Sequence, residues 1–385
     1  MKISKKRFFT LHGLSDKESR NLLIFELIRK RGVISRTEIS KITGINVVSV
    51  SNYVNNYLGK NLILEKGLAV STGGRKPELV ELNNRDNLVV GLDLTSPETR
   101  IVLADIGMKV LEKRTADKST AKDTARGIPE LIKDMASAAK ADIAKIRMVG
   151  LAIRDKASTA VAAALEKELD AGILAGGAAS CAAYAEKRLN TGVNASSLLY
   201  MHSDVGRAVM ISGDTCFGTA EFDGEKECTD SKLTGGRGVD TMKYMRPWDD
   251  YLGMAQTAKR EVSRGIGTRM VSLASGDIGN ITSGLVVEAA RQNDEVALNI
   301  VQSVGINLGL RTAFLINLFT PEAVVVGGGP EKAGDMIFAP MKKMVEKMSF
   351  AKLAESVKVL PCAFGEEAAV LGAASLAIRE LFLQS

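Results

Sequence analysis

Residues 15–60 carry apolar positions at helical spacing, separated by polar caps and glycines. A first helix is predicted to begin after Ser15, which has capping-box spacing to Glu18, and to end at Gly32. The apolar stripe of this helix consists of Leu22, Leu23, Leu27 and Ile28.

Two short capped helices come next and are joined by a tight glycine turn. The second helix is predicted to begin after Ser35, with Glu38 completing another capping box, and to end at Gly44. Asn46 can cap the third helix. A longer helix followed by two short capped helices predicts a helix-turn-helix.

The third predicted helix has two different faces. One face must point to the core at 100° per residue, and it carries Val50, Val54 and Tyr57. The opposite face carries Val48, Asn52 and Asn55, flanked by Ser49 and Ser51. Asparagine can pair bidentately with adenine, an aliphatic group can contact a thymine methyl, and no Lys or Arg occurs in this helix before Lys60. The face therefore predicts an A/T-rich half-site; a polar surface without DNA contact is the alternative.

A wing and a linker are predicted after the third helix. Two short strands are expected around Gly67, followed by a Gly-Gly linker over residues 72–77. Arg75 and Lys76 could reach a phosphate or a narrow A/T minor groove. A plain linker with solvated cations explains these two residues equally well. Arg36, at the start of the second helix, is a further candidate DNA contact.

From residue 87 the pattern changes to short apolar runs that alternate with helical segments. The predicted elements are strands at LVVGLDL, TRIVLADI, KVLEKR and IRMVGLAI, a helix over 121–140, and strands at SLLYMHS and RAVMISG. A helical region over 248–319, the strand AVVVGGG, a helix, the strand SVKVLP and a last helix over 367–382 follow. Hairpins that feed helices in two successive lobes indicate an α/β fold with a mixed sheet in each lobe.

The charge is concentrated at the start of the chain. Residues 1–86 hold 16 Lys and Arg against 8 Asp and Glu, whereas the rest of the 385 residues hold 35 against 37. A small basic domain on a near-neutral body suggests a polyanionic partner, most simply DNA. On charge alone, a solvated basic surface remains an equal alternative.

Composition narrows the class of protein further. The first residues have no signal-peptide pattern and no apolar run is long enough to span a membrane, so we expect a cytoplasmic protein with no membrane partner. The few thiols and imidazoles show no ligand spacing, which predicts reduced cysteines and no metal site. These residues are Cys181, Cys216, Cys228, Cys362, His12 and His202.

Several stretches carry a family resemblance. They are TGINVVSVSNYVNNYL, STGGRKPELVELN, VVGLDL with RIVLADIGMKVL, LFTPEAVVVGGGPEKAG and GEEAAVLGAASLAI. With them the chain resembles the winged-helix repressor branch of the ROK family (repressors, open reading frames and sugar kinases) over nearly all of residues 16–380. This resemblance implies an α/β fold with an N-terminal winged helix-turn-helix and a two-lobed actin-like (sugar kinase/hexokinase) ATPase fold, assembled as a homo-oligomer.

The domain boundaries expected from this resemblance are as follows. Residues 1–70 form the winged helix-turn-helix, 71–86 a linker, 87–190 the first actin-like lobe completed by 373–385, and 191–372 the second lobe with dimerisation helices.

The motifs that a ROK kinase needs are degenerate here. Asp93 is followed by Leu-Thr-Ser-Pro where the family has a glycine-rich phosphate loop, and the second phosphate loop, 203–207, has lost most of its glycines. Aligned on Glu186, the proton-accepting Asp of the kinases falls on Ala178, and of the zinc loop only Cys228 remains. The resemblance with these departures predicts no catalytic residue, no cofactor and no metal. Residues 327–329, Gly-Gly-Gly, form either a strand-to-helix turn or the remnant of an adenine site.

The leading hypothesis is a DNA-binding transcriptional regulator, expected to be a repressor, with a catalytically inactive sugar-kinase-like domain for oligomerisation and effector binding. Its expected partners are double-stranded DNA with an A/T-rich pseudo-palindrome, further copies of the chain in a dimer or tetramer, and a small-molecule effector that the sequence does not identify. A sugar kinase with a DNA-binding appendage and a protein-interaction scaffold are the alternatives.

Overall fold

The structure is a computed structural model, and it describes residues 7–8, 14–68, 78–95, 98–117, 124–153, 159–189, 195–202, 207–212, 215–218 and 253–384. The chain divides into two compact units. The first unit comprises Met1–Ala185 with Ala369–Ser385, and the second comprises Glu186–Ala368.

The elements up to the unit boundary alternate between helices and strands. They are β1 (Arg7–Phe8), α1 (Asp16–Arg31), β2 (Ile34–Ser35), α2 (Arg36–Thr43), α3 (Val47–Gly59), β3 (Ile63–Leu68), β4 (Glu78–Leu82), β5 (Leu88–Asp93), β6 (Glu98–Asp105), β7 (Val110–Asp117), α4 (Thr124–Ala138), β8 (Ile146–Ile153), α5 (Thr159–Glu168), β9 (Gly172–Gly177) and α6 (Ala178–Leu189).

The remaining elements are mostly helical. They are β10 (Ser197–His202), β11 (Arg207–Ser212), β12 (Thr215–Gly218), α7 (Met254–Ser263), α8 (Arg269–Leu273), α9 (Ser283–Arg291), α10 (Glu295–Phe319), β13 (Ala323–Gly327), α11 (Asp335–Met348), α12 (Ala351–Ser356), β14 (Lys358–Pro361) and α13 (Ala368–Leu383).

The N-terminal module, defined as residues 14–68 and 78–87, contains α1 to α3 and a small sheet of order β2-β4-β3. Its apolar side chains meet in one core. The positions of α3 predicted to point inward are buried, as are Leu22 and Ile28 of α1. The predicted stripe of α1 was wrong at Leu23, which is 48% exposed, and it left out Ile24 and Phe25, which are buried. The wholly or almost wholly buried side chains include Leu22, Ile24, Phe25, Ile28, Ile39, Val50, Val54 and Tyr57.

The body of the first unit is a sheet of order β1-β9-β8-β5-β6-β7, in which β5 pairs in parallel with β8 and antiparallel with β6. Helix α13 packs against its central strands. Gly91 of β5 and Gly150 of β8 allow this approach, because a Cβ at these positions would overlap the carbonyl oxygens of Val370 and Ala373, respectively.

The second unit contains a sheet of order β12-β11-β10-β13-β14 and a helical layer. The long helix α10 and helix α11 pack closely, because Gly305 and Gly309 of α10 leave no room for a Cβ beside the Ile337 and Met341 carbonyls. The buried side chains of β10 and β13 join these helices in one hydrophobic core.

Three features differ from the sequence expectations. Gly67 lies inside β3 at a register shift with φ +100°, because a bulge rather than a turn uses its left-handed conformation. Residues 78–82, expected in the linker, form β4 and pair with β2 and β3. Helix α5 and strand β12 were not predicted, since the alanine-rich TAVAAALEKE and the short TCFG lack clear periodicity.

No helix in the described part of the chain is both long enough and apolar enough to cross a membrane.

Candidate nucleic-acid interface

The exposed face of α3 is built from the start of the helix. Asn46 precedes the helix, and its side-chain oxygen accepts the Ser49 N–H at 2.8 Å. Gly44 adopts a left-handed conformation that ends α2, so only three residues separate the two helices.

Side-chain hydrogen bonds hold the turn between α2 and α3. The Ser40 hydroxyl donates to the Ile45 carbonyl at 2.6 Å, and the Thr43 hydroxyl accepts the Ile45 N–H at 3.3 Å. Ser35 caps α2 by accepting the Glu38 N–H at 3.1 Å, which is the serine half of the predicted capping box. The angle between the two helices is therefore set by local contacts as well as by the core.

The predicted face of α3 is exposed as a group. Val48 is 68% exposed, which is unusual for an aliphatic side chain, and Asn52 and Asn55 are exposed beside it. Ser49 and Ser51 are half-buried at the edges of this face. The arrangement offers two amide groups and one apolar group in a single row, which suits base edges in a major groove.

The sequence reasoning did not single out Val47. This side chain is the first of α3 and is 43% exposed next to Val48. The N-terminal residues of a recognition helix are those that meet base edges in helix-turn-helix proteins, so its position after the cap was the available signal.

The cations predicted to contact DNA fall in different places. The Arg36 guanidinium lies 3.6 Å from a Glu65 oxygen and 3.7 Å from a Glu78 oxygen, so it bridges β3 and β4. Arg75 and Lys76 lie outside the described residues.

The inner face of α3 is anchored by tyrosine hydroxyls. Tyr57 is wholly buried and donates to the Asn21 carbonyl at 2.9 Å, while Tyr53 donates to the Lys17 carbonyl at 3.1 Å. Burial, with a smaller effect of Tyr53, raises the pKa of Tyr57 well above its usual value, so its hydroxyl remains a donor.

Two of the positions aligned with kinase motifs, Ala178 and Asp93, lie within the described residues, whereas residues 203–206 and Cys228 lie outside them. Ala178 begins α6 directly after β9 and is buried. Asp93 is also buried, and one of its carboxylate oxygens accepts both the Thr95 N–H, at 2.9 Å, and the Thr95 hydroxyl, at 2.6 Å.

The glycine turn after β13 makes close contacts with neighbouring side chains of the protein. Gly328 and Gly329 have φ +86° and +114°, which explains why glycine occupies both positions. A Cβ at Gly327 would overlap the Tyr200 hydroxyl. The Gly329 N–H donates to the Glu331 carboxylate at 2.8 Å, so one donor that an anion would need already has a partner.

No three His, Cys, Asp or Glu side chains are grouped to hold a metal ion within the described ranges.

The chain is similar to repressors and to sugar kinases. Residues 265–380 match the model of the ROK family. The xylose repressor of Caldicellulosiruptor bescii is 23% identical over 387 residues, covering 95% of this chain and 96% of the repressor.

Two solved structures share the fold. A ROK family transcriptional regulator, a homologue of Escherichia coli Mlc, has a TM-score of 0.68 at 18% identity and covers 96% of this chain and 98% of its own. A ROK glucokinase from Streptomyces griseus, in complex with glucose and AMPPNP, has a TM-score of 0.57 at 21% identity, covering 76% of this chain and 99% of its own. Residues 265–380 therefore match the ROK family model, and the chain shares its fold with a ROK regulator and a ROK glucokinase.

Proposed function

We propose that this protein is a DNA-binding transcriptional repressor whose N-terminal module is a winged helix-turn-helix. The observation that carries the proposal is the exposed row of Val48, Asn52 and Asn55 on α3. Helix-turn-helix proteins place such a row in the major groove. The similarity to a xylose repressor over almost the full length of both chains supports this function.

The same row favours A/T-rich DNA. Its amides match adenine, and its valine matches the thymine methyl. None of these three residues is a Lys or Arg, the side chains that most commonly contact guanine. Arg75 and Lys76 are proposed to contact phosphates or the minor groove, whereas Arg36 is proposed to act mainly by holding β3 and β4 beside α3.

A second copy of the chain is the proposed partner for reading a pseudo-palindrome. The α10 patch, defined as Ile306, Leu310, Phe314 and Leu318, is an exposed apolar stripe with a spacing of four residues. The neighbouring Asn317 donates to the Met348 carbonyl at 3.1 Å and accepts the Phe350 N–H at 2.9 Å. These bonds hold two further exposed apolar side chains next to the stripe.

Pairing of α10 with itself is compatible with charge. The exposed positions of this helix between Asn299 and Leu318 are uncharged, and the one charged residue in that stretch, Arg311, is half-buried. The exposed surface of the helix therefore presents no acidic or basic side chain to a two-fold partner. An exposed apolar patch of this length is a mark of an interaction site.

The kinase-like body is proposed to have no phosphotransfer activity. Alanine at position 178 cannot accept a proton from a sugar hydroxyl, and Asp93 is buried and engaged with Thr95. A small-molecule effector would regulate the repressor by binding its DNA-competent and incompetent states with different affinity. We expect the protein to act in the cytoplasm, where bacterial repressors meet DNA.

The test is selection of bound duplexes from a random pool, followed by affinity measurements with single variants. We expect an A/T-rich consensus, and Asn52→Ala should lose about 1–3 kcal/mol of discrimination against the wrong base at one position. Asn84→Ala, an exposed asparagine outside the helices, is the matched control. A pool that shows no enrichment would contradict the function.

The similarity to a glucokinase favours sugar phosphorylation as the second candidate. A coupled assay of ATP turnover over a panel of sugars distinguishes the two. Sugar-dependent turnover that disappears in Asp93→Asn would establish the kinase.

A further inference from the structure

The carboxyl end of α13 completes the core of the N-terminal module. Phe382 is wholly buried, although 325 residues of sequence separate it from Tyr57 of α3. Its ring stacks on Phe25 of α1, with centroids 3.8 Å apart and an interplanar angle of 20°. The same ring meets Tyr57 edge-on, at 5.1 Å and 80°. Aromatic pairs in both geometries are favourable beyond their apolar burial.

Hydrogen bonds fix the same three helices to one another. The Phe382 carbonyl accepts from the Asn21 amide at 2.8 Å, and the Asn21 carbonyl accepts from the Tyr57 hydroxyl at 2.9 Å. The Lys60 ammonium donates to the Gln384 carbonyl. These last carbonyls of α13 would otherwise lack a helical partner, so the module caps the helix while the helix fills the module.

A second set of contacts holds Asn61, two residues after the end of α3. The Asn61 carbonyl accepts from the Asn87 amide at 2.7 Å and from the Asn83 amide at 3.1 Å. The Asn87 oxygen in turn accepts from the Arg147 guanidinium of β8 at 2.9 Å. The carboxyl end of α3 is therefore held from two sides, by α13 and by the segment that leads into β5.

The other part of α13 is held against the sheet. Gly91 and Gly150 bring the backbones of β5 and β8 against the helix, and a Cβ at Gly372 would overlap the Cys181 carbonyl of α6. Close-packed interiors transmit displacement rather than absorb it. A shift of α13 along this surface would consequently move the Phe382 ring and the end of α3 with it.

We propose that Phe382 is a positioning residue for DNA recognition, which sets the orientation of α3 through Phe25 and Tyr57. The inference rests on the proposed DNA-binding function. It makes α13 the route by which the sheet of the first unit acts on the recognition helix, and it assigns a role in DNA reading to a side chain outside the predicted base-contacting row.

The experiment compares binding of the full chain to a selected duplex with binding to a scrambled duplex at the same salt concentration. A variant whose N-terminal module is partly unfolded binds both duplexes more weakly by the same factor, because both apparent affinities depend on the fraction of folded molecules. Misplacement of α3 lowers the ratio of the two, because base contacts are lost while phosphate contacts remain. For Phe382→Ala we expect the ratio to fall by about tenfold or more.

Two variants accompany this measurement. Phe382→Leu keeps an apolar side chain without the ring and should give a smaller fall in the same ratio. Leu383→Ala changes the neighbouring half-buried residue of the same turn and is the control. An unchanged ratio in both Phe382 variants, with or without loss of overall affinity, overturns the inference. A wild-type chain that does not distinguish the two duplexes overturns the proposed function, and the inference with it.

Discussion

Val48 and Asn52 lie about one helical turn apart on α3, and each is proposed to make a different type of contact with a base pair. Helical periodicity predicted which residues of α3 are buried, because the pattern depends only on local geometry. The engagement of Arg36 could not be predicted, since Glu65 and Glu78 reach it only after β3 and β4 pair.

Replacing thymidine with deoxyuridine in the bound duplex tests the proposed contact between Val48 and a thymine methyl group. The change removes only the C5 methyl, so each contacted position should cost about 0.8 kcal/mol of binding free energy, the value of one buried methylene. Val48→Ala should bind both duplexes with similar affinity. Equal titration curves of the wild type on the two duplexes would argue against an apolar contact.

We expect the Cys362 thiol to make the free energy of unfolding depend on pH above about pH 9. Burial, helped by the charge of Glu186, raises the pKa of Cys362 from 9.0 to about 12. The unfolded chain loses this proton first, so the free energy of unfolding should fall as pH rises above 9, by up to about 1.4 kcal/mol per pH unit.

Denaturant melts of the wild type and Cys362→Ala from pH 8 to 10 measure this effect. The two should keep a constant difference in stability up to pH 9, and the wild type should then lose stability faster. Parallel pH profiles throughout would contradict the assigned cause.

At the level of elements, close approach between helices and strands depends on glycines. The hydrophobic runs predicted β5, β6, β7, β8 and β13 within a few residues, and the last helix began one residue later than expected. They did not predict that α13 lies on β5 and β8, because glycines in a strand pattern mark a close approach without naming the partner.

Gly150→Ala tests this packing of α13. The new Cβ would overlap the Ala373 backbone, and no side-chain rotation can relieve this overlap. We therefore expect the free energy of unfolding to fall by about 1–3 kcal/mol. Gly127→Ala, in α4 with open space around it, should instead gain about 0.5–1 kcal/mol. Thermal unfolding of both variants provides the comparison.

At the scale of the whole molecule, the family resemblance predicted more than the periodicity did. The ROK pattern anticipated both the fold and the repressor-like relatives. The grouping of the N-terminal module with the first lobe in one compact unit was not predicted, because the bonds of Asn21 to Phe382 span 361 positions. The Gly-Gly stretch instead predicted a linker between the two. Contacts between residues so far apart in the sequence leave no pattern in either local segment.

Introducing a charged side chain tests whether the protein assembles through the α10 patch. Phe314 is 66% exposed, and Phe314→Asp would place two carboxylates near the axis of a self-paired α10. We expect a shift from dimer to monomer in sedimentation velocity and weaker binding to a full palindrome. Ile266→Asp, another exposed apolar position of the same unit, should leave the sedimentation coefficient unchanged.

The aromatic cluster of Phe25, Tyr57 and Phe382 also imposes an order on biosynthesis. Ribosomes add about 5–20 residues per second, so roughly 20–70 seconds pass between translation of Asn21 and of its bonding partner 361 positions later. During that interval the N-terminal module of the nascent chain lacks the Phe382 ring, which is part of its core. If Phe382 positions α3 as proposed, the nascent chain is expected to bind its DNA site only after α13 has been made.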